Sequence, residues 1–101
     1  MTRADAKKAY VVLRRRVTEI LRDEDPIGLM ASGAPADEYD PEIGTILPRL
    51  KSVDGADAAL TVVHEEFCRW FGADVAGPAE SYRASADAIW GAWLAFRGGG
   101  E

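Results

Sequence analysis

Residues 57–72 read Asp57-Ala58-Ala59-Leu60-Thr61-Val62-Val63-His64-Glu65-Glu66-Phe67-Cys68-Arg69-Trp70-Phe71-Gly72, and the spacing of their apolar side chains decides the fold class. Ala59, Leu60, Val63, Phe67, Trp70 and Phe71 recur every three or four positions, which puts them on one face of a helix and on no single face of a strand. The turn before it, Ser52 to Asp57, offers Asp54 as a cap. Gly72 supplies an end, because glycine takes up the left-handed backbone that closes helices without a steric cost.

The same period continues outward in both directions. Between residues 4 and 22, Ala6, Tyr10, Leu13, Val17 and Ile20 are spaced four, three, four and three apart, which predicts a first helix. Lys8, Arg15 and Arg22 fall opposite that stripe, and Glu19 lies within pairing reach of Arg15 and Arg22. Asp25-Pro26 ends this helix, since the residue before proline is pushed out of the helical region. Gly28, Ser32, Gly33 and Pro35 then mark a loop. Asp40-Pro41-Glu42 predicts a second start: an Asp cap, a proline where its missing N–H costs nothing, and an acid facing the positive end of the helix dipole. Ile43, Ile46, Leu47 and Leu50 form its apolar side. This helix is short, and Pro48 is expected to kink it, with Gly44 four residues earlier leaving room for the ring. Gly77-Pro78 opens a last helix whose stripe is Tyr82, Ala86, Ile89, Trp93 and Phe96. No stretch alternates with period two over the length of a strand. The expectation is an all-α fold, a small bundle of four helices with the second short and proline-kinked. It forms one domain over residues 1–97 with a flexible Gly-rich tail at 98–101.

Composition agrees with one compact soluble domain: 101 residues, 48% hydrophobic, 29% charged, net charge -5. Cys68 is the single cysteine and has no internal disulfide partner. The chain opens with Asp5, Lys7 and Lys8 where a secretory leader would be apolar. Its longest apolar run, Ala88 to Phe96, falls short of the roughly 20 residues a bilayer requires. A cytoplasmic protein with no membrane crossing is expected.

Charge is unevenly placed. Residues 1–22 hold seven basic and two acidic side chains, residues 23–45 seven acidic and none basic, and residues 46–101 five basic and eight acidic. Such polarity is satisfied internally, by solvent, or by partners. Nucleic-acid binding would use Arg3, Lys7, Lys8, Arg14, Arg15, Arg16 and Arg22 against phosphates. The negative net charge, the acidic neighbour segment and the absence of aromatics among the arginines oppose it.

The acidic stretch Asp25-Pro26-Ile27-Gly28-Leu29 is followed, after a Gly-Ala-Pro turn, by Asp37-Glu38-Tyr39-Asp40-Pro41-Glu42. Here the sequence resembles the YugE-like group of small helical bacterial proteins of unknown function. In that group an Asp-Pro closes the first helix and an acidic segment ending in Tyr-Asp opens the second. The resemblance covers residues 13–72. It implies a helical fold and a bacterial cytoplasmic setting, and it carries over no activity and no catalytic residue.

Read physically, Asp25 and Asp40 each precede proline and are placed to cap a helical start, while Tyr39 and Ile27 pin the loop to the core. A hard-cation site from Asp25, Asp37, Glu38 and Asp40 is an alternative, although the spacing does not match the calcium loop. A third reading makes Asp23, Glu24, Asp25, Asp37, Glu38, Asp40 and Glu42 a negative patch for a basic protein partner.

No catalytic constellation stands beside these. His64 and Cys68 lie four apart on one face, but no further Cys or His completes a zinc site and the flanking Glu65 and Glu66 disfavour a thiolate. Gly98, Gly99 and Gly100 follow a helix and form no phosphate loop. Ser32 and Ser85 lack a nucleophile elbow. Glu65 and Glu66 are adjacent and point to different sides. No enzyme activity, cofactor or metal is expected.

Among the tryptophans, Trp93 belongs to the stripe, whereas Trp90 falls at its margin. Val11 and Val12 leave the first helix's stripe in the same way. Together they point to a second apolar surface, for which an isologous homodimer is the cheapest use. The functional expectation is a non-catalytic protein-interaction module acting through the acidic loop and Trp90, in an immunity or antitoxin-like role that covers a basic site on a toxin. A nucleic-acid accessory protein using the first helix and a divalent-cation-binding protein using the acidic loop are the alternatives.

Overall fold

The computed structural model describes residues 2–35 and 38–98. Every regular element among them is helical: α1 (Arg3–Glu24), α2 (Asp40–Arg49), α3 (Ala56–Phe71), α4 (Ala73–Ala76) and α5 (Arg83–Gly98), with 3-10 turns at Leu50–Ser52 and Ala79–Tyr82. The all-α expectation is met. The count of four is not, because the stretch after Gly72 breaks twice before the last helix begins. Gly72 (φ 84°) and Gly77 (φ 75°) both adopt the left-handed region, isolating the single turn α4 between them. Pro78 is extended (ψ 153°), and a 3-10 turn carries the chain to Arg83, so α5 starts later than Gly77-Pro78 announces. Tyr82 closes this corner. Its ring is fully buried and its hydroxyl donates to the Ala76 carbonyl.

Helix α3 is the centre of the bundle, packing on α2, α4, the Ala79–Tyr82 turn and α5, while α1 lies across α5 and α2. Its buried side is Ala59, Leu60, Val62, Val63, Glu66 and Phe67. Phe67 gathers the aromatic core, with ring centroids 5.8 Å from Tyr39, 5.9 Å from Phe71 and 5.0 Å from Tyr82. Such tilted pairs add attraction beyond the area they bury. Gly55 caps α3 by its backbone position, and Asp54, the expected cap, makes no side-chain hydrogen bond there. Trp70, expected inside, is half exposed, and its indole N–H donates to Thr45 Oγ1 at 3.1 Å, tying α3 to α2 from outside.

Helix α1 starts at a capping box. Thr2 Oγ1 accepts from the Asp5 amide at 3.1 Å, and the Asp5 carboxylate accepts from the Thr2 amide at 3.4 Å. At 22 residues it is longer than α3 or α5 at 16. Its buried residues are Leu13, Val17 and Leu21, while Ala6 and Tyr10 of the expected stripe are exposed and Ile20 is partly buried. Tyr10 still meets the edge of Phe96 at 6.4 Å. Pro48 lies in the last turn of α2, which passes directly into the Leu50–Ser52 turn. Gly98 belongs to α5, and the rest of the glycine tail lies outside the described residues.

Candidate functional site

The acidic segment forms an inward-facing clasp. Asp25 terminates α1 with φ 45°, a left-handed conformation that aspartate tolerates better than most residues. It does not cap a following helix as the Asp-Pro pattern predicts. Instead its Oδ1 accepts from the Met30 amide at 2.9 Å and from the Tyr39 hydroxyl at 2.7 Å, and its Oδ2 from the Ala31 amide at 2.9 Å. Burial opposes the Asp25 charge, and these three donors outweigh it and hold the carboxyl below its ordinary pKa. Tyr39 is fully buried, and burial together with the Asp25 charge raises its hydroxyl pKa. Tyr39, rather than Asp40, occupies the cap position of α2, with Asp40 and Pro41 in the first turn and no side-chain cap. Ile27 packs against the core, so loop and core are joined as the sequence implies.

Glu42 is also turned inward. It is buried, one carboxylate oxygen has no hydrogen-bond partner, and desolvation raises its pKa, with the Glu38 and Asp40 charges adding to the rise. The exposed acids of the segment are Asp23, Glu24 and Glu38, with Asp40 partly covered. Asp37 lies outside the described residues. Among the described residues no group of three or more His, Cys, Asp or Glu side chains is placed to hold a metal ion. Trp90 is separated from this segment: it lines a shallow groove with Lys51, Asp54, Trp93 and Arg97.

A half-buried charge pair went unread in the sequence. Glu66 on α3 is inside the protein and accepts from Arg49 Nη1 at 2.8 Å, while Arg49 Nη2 reaches Glu65 at 2.7 Å. One guanidinium thus spans α2 and α3 with its fork, a geometry lysine cannot reproduce. The available signal was Glu66 itself, a charged residue on the apolar side between Val63 and Phe67.

His64 and Cys68 do meet, with 3.4 Å between Nε2 and Sγ. The same Nε2 lies 2.8 Å from the Gly77 carbonyl, which only accepts, so this nitrogen carries the proton and donates to it. It therefore has no lone pair for the thiol proton. The pair fastens α3 to the Gly77 corner.

The first helix presents the opposite arrangement to the acidic clasp. Among the described residues, none of Arg3, Lys7, Lys8, Arg14, Arg15, Arg16 and Arg22 lies in ion-pair contact with a carboxylate; the contacts found belong to Arg49, Arg69 and Arg83. Glu19 is in pairing reach by spacing and makes no such contact. Tyr10 (43%), Val11 (49%) and Val12 (54%) are large apolar side chains left exposed beside these cations, and Leu94 (45%) of α5 is exposed too. Between α1 and α5 runs an open groove of about 520 Å³. Val12, Ala92, Ala95 and Phe96 give it an apolar lining, and Arg16 stands at its edge. A second shallow apolar hollow on α1 shares Val12 and is bordered by Lys7, Lys8 and Arg15. No carboxylate lines either. The sequence placed Val11 and Val12 outside the core, but it gave no sign of the groove opened by the small residues Ala88, Gly91 and Ala95.

No described helix is long and apolar enough to cross a membrane. No protein-family model, no curated protein and no solved structure matches the chain.

Proposed function

We propose that the protein is a non-catalytic interaction module whose partner is a protein bound on the α1–α5 face. One observation carries this reading: the seven cations of α1 have no carboxylate in contact among the described residues, and Lys7, Lys8, Arg15 and Arg16 border hollows lined by exposed Val12. Solvated charge alone needs no apolar neighbours, and an exposed apolar patch rimmed by polar groups is the ordinary mark of a contact surface. The Trp90 and Lys51 groove has no comparable exposed apolar surface.

A second reading keeps the acidic segment as the contact, in the immunity or antitoxin-like role of covering a basic site. It rests on Asp23, Glu24 and Glu38, which are exposed, and it loses Asp25 and Glu42, whose carboxylates face inward. Membership of the YugE-like group, a bacterial cytoplasmic setting and self-association belong to the same set of proposals.

Affinity capture from the source cell's lysate separates the readings, with circular dichroism confirming that each bait is folded. The expected result is a retained protein that is lost with Val12→Glu and kept by the triple variant Asp23→Asn, Glu24→Gln, Glu38→Gln. The reverse pattern transfers the function to the acidic segment. Retention unaffected by either variant, or no retention, removes both.

A further inference from the structure

We infer that the groove between α1 and α5 receives an acidic amphipathic helix of the partner, its apolar side on Val12, Ala92 and Phe96 and its carboxylates against Lys8, Arg15 and Arg16. This rests on the interaction-module reading and adds the occupant to it.

The form of the groove favours a helix. It lies between two helices, and Ala88, Gly91 and Ala95 bring nothing larger than a methyl group to its floor. A Cβ built at Gly91 meets no atom within 4 Å, so the space over this position is open. From Ala88 to Phe96 the floor is about 12 Å long at the 1.5 Å rise of an α-helix, enough for two turns of a partner to lie along it. Anchors at i, i+3, i+4 and i+7 on such a partner would face an apolar surface, the usual helix-in-groove arrangement.

Charge decides the partner's sign. Lys7, Lys8 and Arg15 border the hollow that shares Val12, Arg16 borders the groove, and no carboxylate lines either one. An acidic helix gains at every one of these positions and a basic one loses. A second copy of this chain is disfavoured by the same argument, because a two-fold contact through this face sets one cationic α1 against another. Nucleic acid would satisfy the cations but leave the apolar floor without a counterpart, and phosphate contacts alone draw nothing from it.

The test uses the full-length protein and two fluorescein-labelled synthetic peptides of equal length. Both carry leucine at i, i+3, i+4 and i+7 of a three-turn helix; one has glutamate and the other lysine at the remaining positions. Fluorescence polarisation should show saturable binding of the glutamate peptide, weakened by salt, and none of the lysine peptide. Gly91→Gln should weaken the glutamate peptide at least tenfold while leaving the fold intact, because the added side chain enters open space. The double variant Arg15→Gln, Arg16→Gln should weaken it severalfold without altering the circular dichroism spectrum. No saturation, equal binding of both peptides, or indifference to Gly91→Gln overturns the inference. A wild-type dimer in sedimentation that Gly91→Gln dissolves gives the face to a second copy. Retardation of a DNA or RNA probe that Arg15→Gln, Arg16→Gln abolishes and Gly91→Gln does not gives it to nucleic acid. If the peptide fails while lysate capture still depends on Val12, the occupant is wrong and the interaction module stands.

Discussion

Residues 3–22 and 23–42 are neighbours in the chain, similarly dense in charge and opposite in sign, and the fold treats them in opposite ways. The acids are partly drawn inward: Asp25 takes three donors and Glu42 is buried. The cations are left outside without partners among the described residues. The difference follows from hydrogen-bond chemistry. A loop after a helix carries free backbone N–H groups, and a carboxylate accepts them, so acids near a turn are consumed by the backbone. Ammonium and guanidinium groups only donate, and along a helix the carbonyls are already engaged. Cations on a helix therefore stay available unless a carboxylate is brought to them, as Glu66 is to Arg49.

The harshest way to break the inward half is Tyr39→Ala. Removing a fully buried aromatic ring costs about 3–5 kcal/mol, and it also strips Asp25 of a donor. Urea denaturation should show a midpoint far below wild type or no cooperative transition. Tyr39→Phe keeps the ring and loses only the hydroxyl, for about 1.5 kcal/mol. If the two variants match, the hydrogen bond and not the packing holds the loop.

Arg49→Met comes next, since it leaves Glu66 inside with its main partner gone. Breaking a fully buried pair costs about 3–5 kcal/mol. Arg49 is 40% exposed and Arg69 waits 3.7 Å from Glu66, so about 2 kcal/mol is expected. The double variant Arg49→Met, Glu66→Met should recover most of this loss in the same urea titration. Failure to recover would mean that the pair positions α2 against α3 rather than merely neutralising a buried charge.

Acidity sharpens the contrast within the clasp itself, because Asp25 and Glu42 shift in opposite directions. Asp25 titrates below its ordinary value of 3.8, so its contribution is present above that pH and is lost as pH falls through the lowered value. Glu42 titrates above its ordinary value of 4.5, so its contribution is full below that pH and is lost as pH rises through the raised value. Glu42→Gln should therefore raise the urea midpoint at pH 7, and the two curves should converge below about pH 4.5. Asp25→Asn should flatten the decline at the acid end. A Glu42→Gln variant less stable than wild type at pH 7 would mean that the carboxylate has a partner in solution.

These cases also show which parts of the molecule were legible in the sequence. The period through residues 57–72 identified α3 and its end at Gly72, because a three-to-four spacing has one geometric solution. The joint at Tyr39 and Ile27 was legible for a related reason, an aromatic and an aliphatic residue set among acids. What failed depended on distance along no single helix. Trp70 reads as core, but its indole reaches Thr45 on α2, 25 positions away, and stays outside. Tyr10 reads as core, but it meets only the edge of Phe96 on α5 and stays exposed. Asp25-Pro26 reads as a helix start because a carboxylate offered to free amides serves a loop as well as a cap. The groove was the least legible feature, since Ala88, Gly91 and Ala95 matter for the side chains they lack.

The smallest expected effect on stability is the one that tests the outward half most directly. Arg15 is exposed on α1 and touches no carboxylate among the described residues. Arg15→Gln removes a charge without removing a contact, and the change should stay within about 0.5 kcal/mol of wild type in urea. Because α1 carries seven basic side chains, relief of their mutual repulsion favours a slight gain over a loss. A loss above about 1 kcal/mol would show that Arg15 is paired within the folded chain, and the cationic face would then be a structural element of the same kind as the clasp. A neutral result, together with weaker association of the acidic peptide, places the energy of this residue in the complex and none of it in the fold. That outcome would separate the two stretches by role as well as by sign, Asp25 tying its loop to the core and the cations serving a partner.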